Sequence, residues 1–418
     1  MKIALICEHA APLTAYKGGT STADSVHIAC LARELAALGH RVSVYSRSSS
    51  PHTPDHARMG RGVTVDHLQA GPQRPLTEDE AVDHTGTFAR HLATALAADR
   101  PDVIHAVNWT SGLAALSASR TAAEAIDTPP IVQTLHSLNS AEQRAGLPRR
   151  EDRNRMESAI AGRANAVIVN STDQRLELTR AGRPRAHINV IPYGVDTDHF
   201  TPEGSAGGWP WPRNQRSGAG RRRIVSVANL SAGWGAEHLI DIIARVPNTE
   251  LAIAGGPEAE EFALDPHVRR LELRAKELGV DDRVTLVGNV SRKELPRLLR
   301  SAEIYLSAGE YDPYGGAVLE AMSCGLPVVA KASNDTANAV LNGTTGTLLR
   351  TSRPEGLARA VRQLAADATS RTAFGIAGSD RAGSRFTWTR VAEETVRVYE
   401  QTLTGGSELS ATHDSTPD

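Results

Sequence analysis

The sequence predicts an α/β protein made of two Rossmann-like units with parallel sheets. Short apolar strands alternate with stretches of helical periodicity along most of the chain, which is the pattern of a parallel sheet covered by helices on both faces. A segment rich in Gly, Pro and Arg, residues 201–223, interrupts this alternation near the middle. The length of 418 residues is sufficient for two such cores.

The first unit, residues 1–200, begins with a strand at 2–7, followed by a polar loop to residue 23. The next predicted helix, 25–38, places Val26, Ala29, Leu31 and Leu35 on one face and ends at a glycine. The same criteria predict strands at 41–45, 63–68, 102–105, 131–135, 166–169 and 188–191. They predict helices at 78–98, 109–119, 152–161 and 172–180.

The second unit, residues 224–385, repeats the alternation after the linker 201–223. Its predicted strands are 224–227, 250–254, 284–287, 304–306, 328–330 and 347–349. Its predicted helices are 237–245, 266–278, 292–300, one from Gly315 to Gly325, and 354–366. A last amphipathic helix is expected at 386–403, and the polar residues 404–418 are expected to be a disordered tail.

Composition excludes several classes of function. The net charge of −2 provides no basic field, so nucleic acid is not expected as a partner. No apolar run approaches the ~20 residues of a membrane span, and the first strand is too short for a signal peptide. The three cysteines fit reduced, buried thiols and hence a cytoplasmic location. The oligomeric state stays open, with a homodimer as one possibility.

One stretch, residues 309–327, carries the chemistry. A strand runs into a polar turn and then into a glycine-rich helix start, where free N–H groups and the helix dipole favour phosphate. Asp312 precedes the helix and Glu320 follows eight positions later, inside it. The alternative interpretation is an ordinary strand–helix turn with two solvated carboxylates.

The residue pattern of this stretch resembles the acidic-x7-acidic signature of retaining glycosyltransferases of the GT-B fold. This family includes sucrose-phosphate synthases and bacterial group 1 glycosyltransferases. Asp312 stands where the family has Glu, Tyr314 stands for Phe, and Glu320 is retained. Residues 192–200 resemble the family's Pro-x-Gly-Val-Asp-x-x-x-Phe hinge. The resemblance spans residues 1–402. It implies that the two sheets face each other across a cleft and that the last helix crosses back onto the first domain.

The resemblance also implies that the second domain binds a nucleotide sugar, of UDP or GDP type. Glu320 would accept hydrogen bonds from the ribose, and Asp312, with His136, would act on the donor sugar. The amides of Gly315, Gly316 and Ala317 would hold the distal phosphate. The other implied donor-binding residues are Asn229, Trp234, Gly288, Asn289, Val290, Tyr314 and Lys331. In the front-face mechanism of such enzymes a donor phosphate oxygen takes the acceptor proton, so neither a metal nor another cofactor is expected.

The first domain would bind a small-molecule acceptor. The candidate contacts lie in loops that follow strands: Glu8, His9, Gly18, Gly19, Asn108 and Trp109. His136, at the end of a strand, is either a ligand of the donor sugar or a cap of that strand. For His105 a structural role is an equal alternative, and Ser171 fits a helix N-cap before it fits an acceptor contact.

Departures from the family pattern cluster around the donor phosphates. Asn229 replaces the usual Arg and Trp234 the usual Lys, so two cations are missing near the leaving diphosphate. Three hypotheses follow. The chain is an active transferase of antibiotic-type specialised metabolism, with Lys331, Arg292 or other arginines supplying charge; it is an S-glycosyltransferase with a thiol acceptor; or it is a non-catalytic binding or regulatory protein.

Overall fold

The computed structural model describes residues 1–18, 22–122, 128–147, 150–206, 221–231, 234–351 and 353–411. It confirms two Rossmann-like α/β domains. The first contains the strands β1 Lys2–Ile6, β2 Arg41–Arg47, β3 His56–Arg58, β4 Val63–Leu68, β5 Val103–Val107, β6 Ile131–Leu135, β7 Ala166–Val169 and β8 Ile188–Val190. Its helices are α1 Pro12–Tyr16, α2 Ala23–Ala37, α3 Glu78–Asp99, α4 Trp109–Ala122, α5 Asn139–Arg144, α6 Glu151–Arg163 and α7 Thr172–Arg180.

The second domain contains six strands, β9 Arg222–Val227, β10 Thr249–Ala254, β11 Val284–Gly288, β12 Ile304–Ser307, β13 Val328–Lys331 and β14 Gly346–Leu349. Its helices are α8 Ala236–Ala244, α9 Pro266–Glu277, α10 Leu295–Arg300, α11 Gly316–Ser323, α12 Asn334–Ala339, α13 Pro354–Ala366 and α14 Ala368–Arg385. The chain then continues into α15, Trp388–Ala411.

The strand orders explain where a ligand site must lie. The first sheet runs β3-β4-β2-β1-β5-β6-β7-β8, and the second runs β11-β10-β9-β12-β13-β14. All the pairings are parallel except β3 with β4. In both sheets the order reverses between two neighbouring strands, β1 and β5 in the first and β9 and β12 in the second. Ligands of open α/β sheets bind beyond the carboxyl ends of strands at such points.

Some elements differ from the sequence predictions. The loop after β1 contains the short helix α1, and α5, α12 and α14 were not predicted. The sequence of α14 contains three glycines, which disfavour a helix in isolation. Tertiary contact explains one of them, because a Cβ at Gly375 would lie 2.2 Å from the carbonyl oxygen of Gly325. The close packing of α14 on the end of α11 therefore overrides local propensity.

Helix α15 joins the end of the chain to the first domain. Trp388, Val391, Ala392, Val398 and Tyr399 are buried in the same core cluster as β1 and α2. The expected crossing back of the last helix is thus present. The expectation of a disordered tail from residue 404 is wrong as far as Ala411, where the helix ends; residues 412–418 lie outside the described part.

His105 illustrates how tightly this helix is fixed. Its Nδ1 lies 2.6 Å from the hydroxyl of Tyr399 and its Nε2 lies 2.7 Å from Oγ1 of Thr134, all buried. Burial lowers the pKa of His105 to about 3, so the ring is neutral at physiological pH. Both ring nitrogens have structural partners, and the structural interpretation of this histidine is therefore favoured over a catalytic one.

Cys7, Cys30 and Cys324 are free and buried, as the sequence predicted. None of the described helices combines the length and the apolar content needed to cross a membrane.

The Tyr399→Phe variant should lose stability because it leaves a buried nitrogen of His105 without a partner. We expect a loss of about 1–3 kcal/mol in the free energy of unfolding, measured by urea denaturation. Tyr16→Phe is the matched control, since Tyr16 is 47% exposed. Equal stability of the Tyr399→Phe variant and the wild type would contradict the assigned role of this hydrogen bond.

Candidate functional site

The candidate site lies between the two domains, at the carboxyl ends of the strands where the sheet orders reverse. The turn from β12 into α11 forms one wall. Gly315 is the N-cap of α11 with a φ of 62°, a left-handed conformation that favours glycine. Because the first N–H groups of a helix have no partner inside it, the start of α11 directs donors and a positive dipole toward the cleft.

Asp312 shapes this turn. Its Oδ1 accepts the N–H of Gly315 at 2.9 Å and that of Tyr314 at 3.3 Å. Burial raises the pKa of Asp312, and these two N–H groups oppose the shift. The amide of Gly315 is therefore engaged within the turn, which corrects the expectation that it faces a phosphate; the next two positions, Gly316 and Ala317, are the first residues of the helix.

A cavity of about 290 Å³ lies against this turn in the second domain. Among the predicted donor residues, Asn229, Trp234, Asp312, Tyr314 and Ala317 line it. The rings of Trp234 and Tyr311 lie 6.1 Å apart in its wall. No lysine or arginine is among the described residues that line this cavity, in agreement with the missing cations noted in the sequence.

The two cations proposed as substitutes are engaged elsewhere. Nη1 of Arg292 donates to Oε1 of Glu320 at 2.7 Å, and the guanidinium lies over the ring of Phe200. Burial raises the pKa of Glu320, and Arg292 opposes this shift. Lys331 forms an ion pair with Glu310. A donor would have to change the pairing of Arg292 or that of Lys331 before the corresponding cation could neutralise its diphosphate.

The residues expected at the nucleotide base lie at the end of β11. Gly288 has a φ of 81° and its carbonyl accepts the N–H of Gly255 at 2.8 Å. Asn289 donates from Nδ2 to Glu258 at 2.7 Å, and Val290 packs against the core of the second domain. Gly288, Asn289 and Val290 therefore lie outside the described lining of the 290 Å³ cavity.

A second cavity, of about 200 Å³, lies in the first domain. It is lined by His9, Asp24, Leu76, Thr77, Glu78, Ala81, Asn108, Trp109, Thr110, Ser137, Glu142, Arg153 and Tyr314. Three predicted acceptor residues, His9, Asn108 and Trp109, are therefore brought together. Tyr314 lines both cavities, so its side chain lies where a donor and an acceptor would meet.

Two acceptor predictions need correction, and one lies outside the described residues. Glu8 is 1% exposed and its carboxylate faces Thr85 and Thr110 behind the cavity wall. Gly18 follows α1 and is not part of the described lining of either cavity. Gly19 lies outside the described residues.

A hydrogen-bonded chain that includes Asp24 joins the domains. Asp24 accepts from Nε2 of His9 at 2.9 Å through Oδ2 and from the hydroxyl of Tyr314 at 3.0 Å through Oδ1. Burial would raise the pKa of Asp24, but its bond with His9 holds it well below the usual value. Burial by itself would lower the pKa of His9, but the hydrogen bond with Asp24 and the negative charge of that carboxylate raise it above its usual value. The sequence analysis did not single out Asp24.

His136 is buried beside this chain. Its Nδ1 lies 3.1 Å from Oδ1 of Asn170, and its ring centroid lies 5.1 Å from that of Tyr314. Burial lowers the pKa of His136. Its Nε2 is buried without a hydrogen-bond partner within the described structure, and His136 is not among the described residues that line either cavity. In contrast, Ser171 accepts the N–H of Gln174 and acts as an N-cap, as the first of the two alternatives predicted.

Both halves of the chain match models of known families. Residues 25–199 match the model described as Glycosyltransferase Family 4, and residues 209–381 match the model described as Glycosyl transferases group 1.

Curated relatives align over nearly the full length. A D-inositol 3-phosphate glycosyltransferase of Jonesia denitrificans is 27% identical, covering 97% of this chain and 97% of the relative. The one from Acidothermus cellulolyticus is 29% identical, covering 96% of this chain and 90% of the relative.

Solved structures share the fold. Sucrose-phosphate synthase from Thermosynechococcus elongatus superposes with a TM-score of 0.85 and 25% identity, over 97% of this chain and 100% of that one. HepE of Anabaena in complex with UDP and glucose gives a TM-score of 0.73 and 20% identity, over 96% of this chain and 100% of that one. The two facing Rossmann-like domains are thus those of the GT-B fold.

Glu8 should make stability depend on pH. Burial raises its pKa from 4.5 to about 7. Between these values the folded protein retains a proton that the unfolded chain has released, so this stability contribution is lost as pH rises through about 7. Glu8→Gln should therefore gain on the order of 2–3 kcal/mol at pH about 8 and almost nothing at pH about 4, by urea denaturation.

The exposed Asp83→Asn change on α3 serves as the control and should leave the profile unchanged. Part of the wild-type slope should persist in Glu8→Gln, because burial also raises the pKa of Glu157 to about 7. A Glu8→Gln profile parallel to that of the wild type would contradict the proton held at this carboxyl.

Proposed function

The chain belongs to the glycosyltransferases of family 4 and group 1, and we propose that it moves a sugar from a nucleotide diphosphate sugar to a small acceptor with retention at the anomeric carbon. The observation that carries the proposal is the shared wall of the two cavities, formed by Tyr314 directly before the start of α11. A donor at the helix start and an acceptor in the first domain would meet at this residue.

The donor side of the proposal rests on backbone donors. The distal phosphate would lie at the first amides of α11, at Gly316 and Ala317, where the helix dipole stabilises negative charge. The ribose hydroxyls would bind Glu320 after displacing or sharing Arg292, which now lies 2.7 Å from it. Arg292 then becomes available to the diphosphate, and this rearrangement would restore one of the two missing cations.

The reaction that we propose needs no metal and no protein base. A donor phosphate oxygen accepts the proton of the attacking acceptor hydroxyl on the same face from which the diphosphate leaves. His136, neutral because burial lowers its pKa, would hold a hydroxyl of the donor sugar through Nε2. Asp312 would act mainly by fixing the turn through the amides of Tyr314 and Gly315.

The first-domain cavity is the proposed acceptor site. The relatives named above are D-inositol 3-phosphate glycosyltransferases, so a cyclic polyol is the natural size class for a space of about 200 Å³. Because Asn229 and Trp234 replace the cations of the family pattern, we propose a role in antibiotic-type specialised metabolism, in the cytoplasm. A thiol acceptor is the second candidate, since a stronger nucleophile requires less stabilisation of the leaving group.

The non-catalytic alternative also has an observation in its favour, because Arg292 now occupies the carboxylate of Glu320. Donor binding separates the alternatives. UDP-, GDP- and ADP-sugars should each be titrated while the thermal midpoint is followed. We expect one base to raise the midpoint by about 5 °C at saturation.

Glu320→Ala should abolish that thermal shift, because the ribose loses its carboxylate partner. Glu355→Ala is the matched control in the same domain, since Glu355 is 66% exposed and distant from the cleft. The absence of any shift in the wild type with all three nucleotides would favour the non-catalytic protein and would refute the proposed donor class.

The stereochemistry of the product tests the mechanism independently of the donor. An α-linked donor should yield an α-linked product, which the coupling of the anomeric proton in an NMR spectrum identifies. A β-linked product would show single inversion and would exclude the front-face mechanism, although the enzyme would remain a transferase.

A further inference from the structure

The charges around the first-domain cavity are unequal. Three carboxylates, those of Asp24, Glu78 and Glu142, line it together with a single guanidinium, that of Arg153. The other group that can carry positive charge among the described lining residues is His9, which is already bonded to Asp24 at 2.9 Å.

Arg153 has little capacity left for a ligand. Its Nε donates to Glu157 at 2.7 Å, its Nη1 donates to Glu142 at 3.1 Å, and its Nη2 donates to Oγ of Ser137 at 2.7 Å. Nη1 also lies 3.4 Å from Oε1 of Glu78. One guanidinium thus faces Glu78, Glu142 and Glu157, and the carboxylates of Glu78 and Glu142 alone carry more charge than it neutralises.

The position of the carboxylates suits a ligand in the cavity. Glu78 lies at the mouth with 47% of its side chain exposed, and it accepts the indole N–H of Trp109. Glu142 lies deeper, with 18% exposed. A neighbouring cation, Arg150, stacks over the ring of Trp109 at 5.7 Å and is neutralised by Asp79, so it offers no free charge.

We propose that this cavity selects a polyhydroxylated acceptor that carries a protonated amine and that it discriminates against phosphorylated acceptors. Glu78 and Glu142 are the specificity-determining residues. A carboxylate at a partly dehydrated mouth stabilises an ammonium group and repels a phosphate, and both effects exceed those at an open surface. The inference rests on the proposed function, because it assigns the charge class of the acceptor for that same site.

Three probes that share the pyranose ring and differ in charge test the selection: glucosamine, N-acetylglucosamine and glucose 6-phosphate. Each is titrated calorimetrically into the full-length protein saturated with the nucleotide of the stabilising donor. Glucosamine should bind at least about tenfold more tightly than its neutral N-acetyl counterpart, and glucose 6-phosphate should bind most weakly. The preference should fade as pH rises above the pKa of the amine, which a merely structural role of the carboxylates would not cause.

The Glu78→Gln and Glu142→Gln variants keep the shape of the cavity and remove one charge each. Both should reduce the ratio of glucosamine affinity to N-acetylglucosamine affinity several-fold. Asp83→Asn, an exposed carboxylate one turn farther along α3, should change neither value. The thermal midpoint of each variant verifies that it is folded.

The inference is overturned if the neutral or the phosphorylated probe binds more tightly, if no probe binds, or if both Gln variants keep the full preference. These outcomes are separable from failure of the proposed function. A protein that is stabilised by a nucleotide sugar but does not prefer the amine retains the proposed function. A protein that no nucleotide sugar stabilises loses it.

Discussion

The proposed donor site depends on the backbone N–H groups at the start of the short helix α11, which have no partner within the helix. Helix α11 begins directly after β12, and Gly315 takes the left-handed conformation that turns the chain into it. The first N–H groups of a helix must find partners outside it. Asp312 satisfies the two that precede the helix, at Tyr314 and Gly315, so those within its first turn remain for a ligand at the cleft. Few other features provide positive potential on this side, since the usual cations are absent.

The placement of the other groups follows from strand order. His9 follows β1 and Asn108 follows β5, while Asn229 follows β9 and Asp312 follows β12. These are the four strands at which the two sheet orders reverse. Residues separated by more than a hundred positions therefore meet at one crevice. Asp24 and Tyr314 then connect the two domains through a hydrogen bond of 3.0 Å.

The two cavities differ in electrostatic character, and this difference organises the proposed chemistry. The second-domain cavity combines helix amides with aromatic rings, which suits an anionic donor held without many side-chain cations. The first-domain cavity has more carboxylates than cations, which suits a polar acceptor that is not anionic. In the proposed reaction the donor and the acceptor would each be disfavoured in the other's place.

The sequence by itself determined the two α/β domains, the helix start with Asp312 and Glu320, and the grouping of His9, Asn108 and Trp109. Hydrophobic periodicity and the βα-turn motif are local signals, and they sufficed. Only the tertiary structure decided that Arg292 pairs with Glu320 and that Glu8 lies behind the wall of the first-domain cavity. It also decided which side chains line that cavity, among them Asp24, Glu142 and Arg153. These outcomes depend on which distant side chains share a low-dielectric space, and no local pattern encodes that. Helix α14 belongs to the same class, since its glycines oppose a helix in isolation, and packing against Gly325 explains the one at position 375.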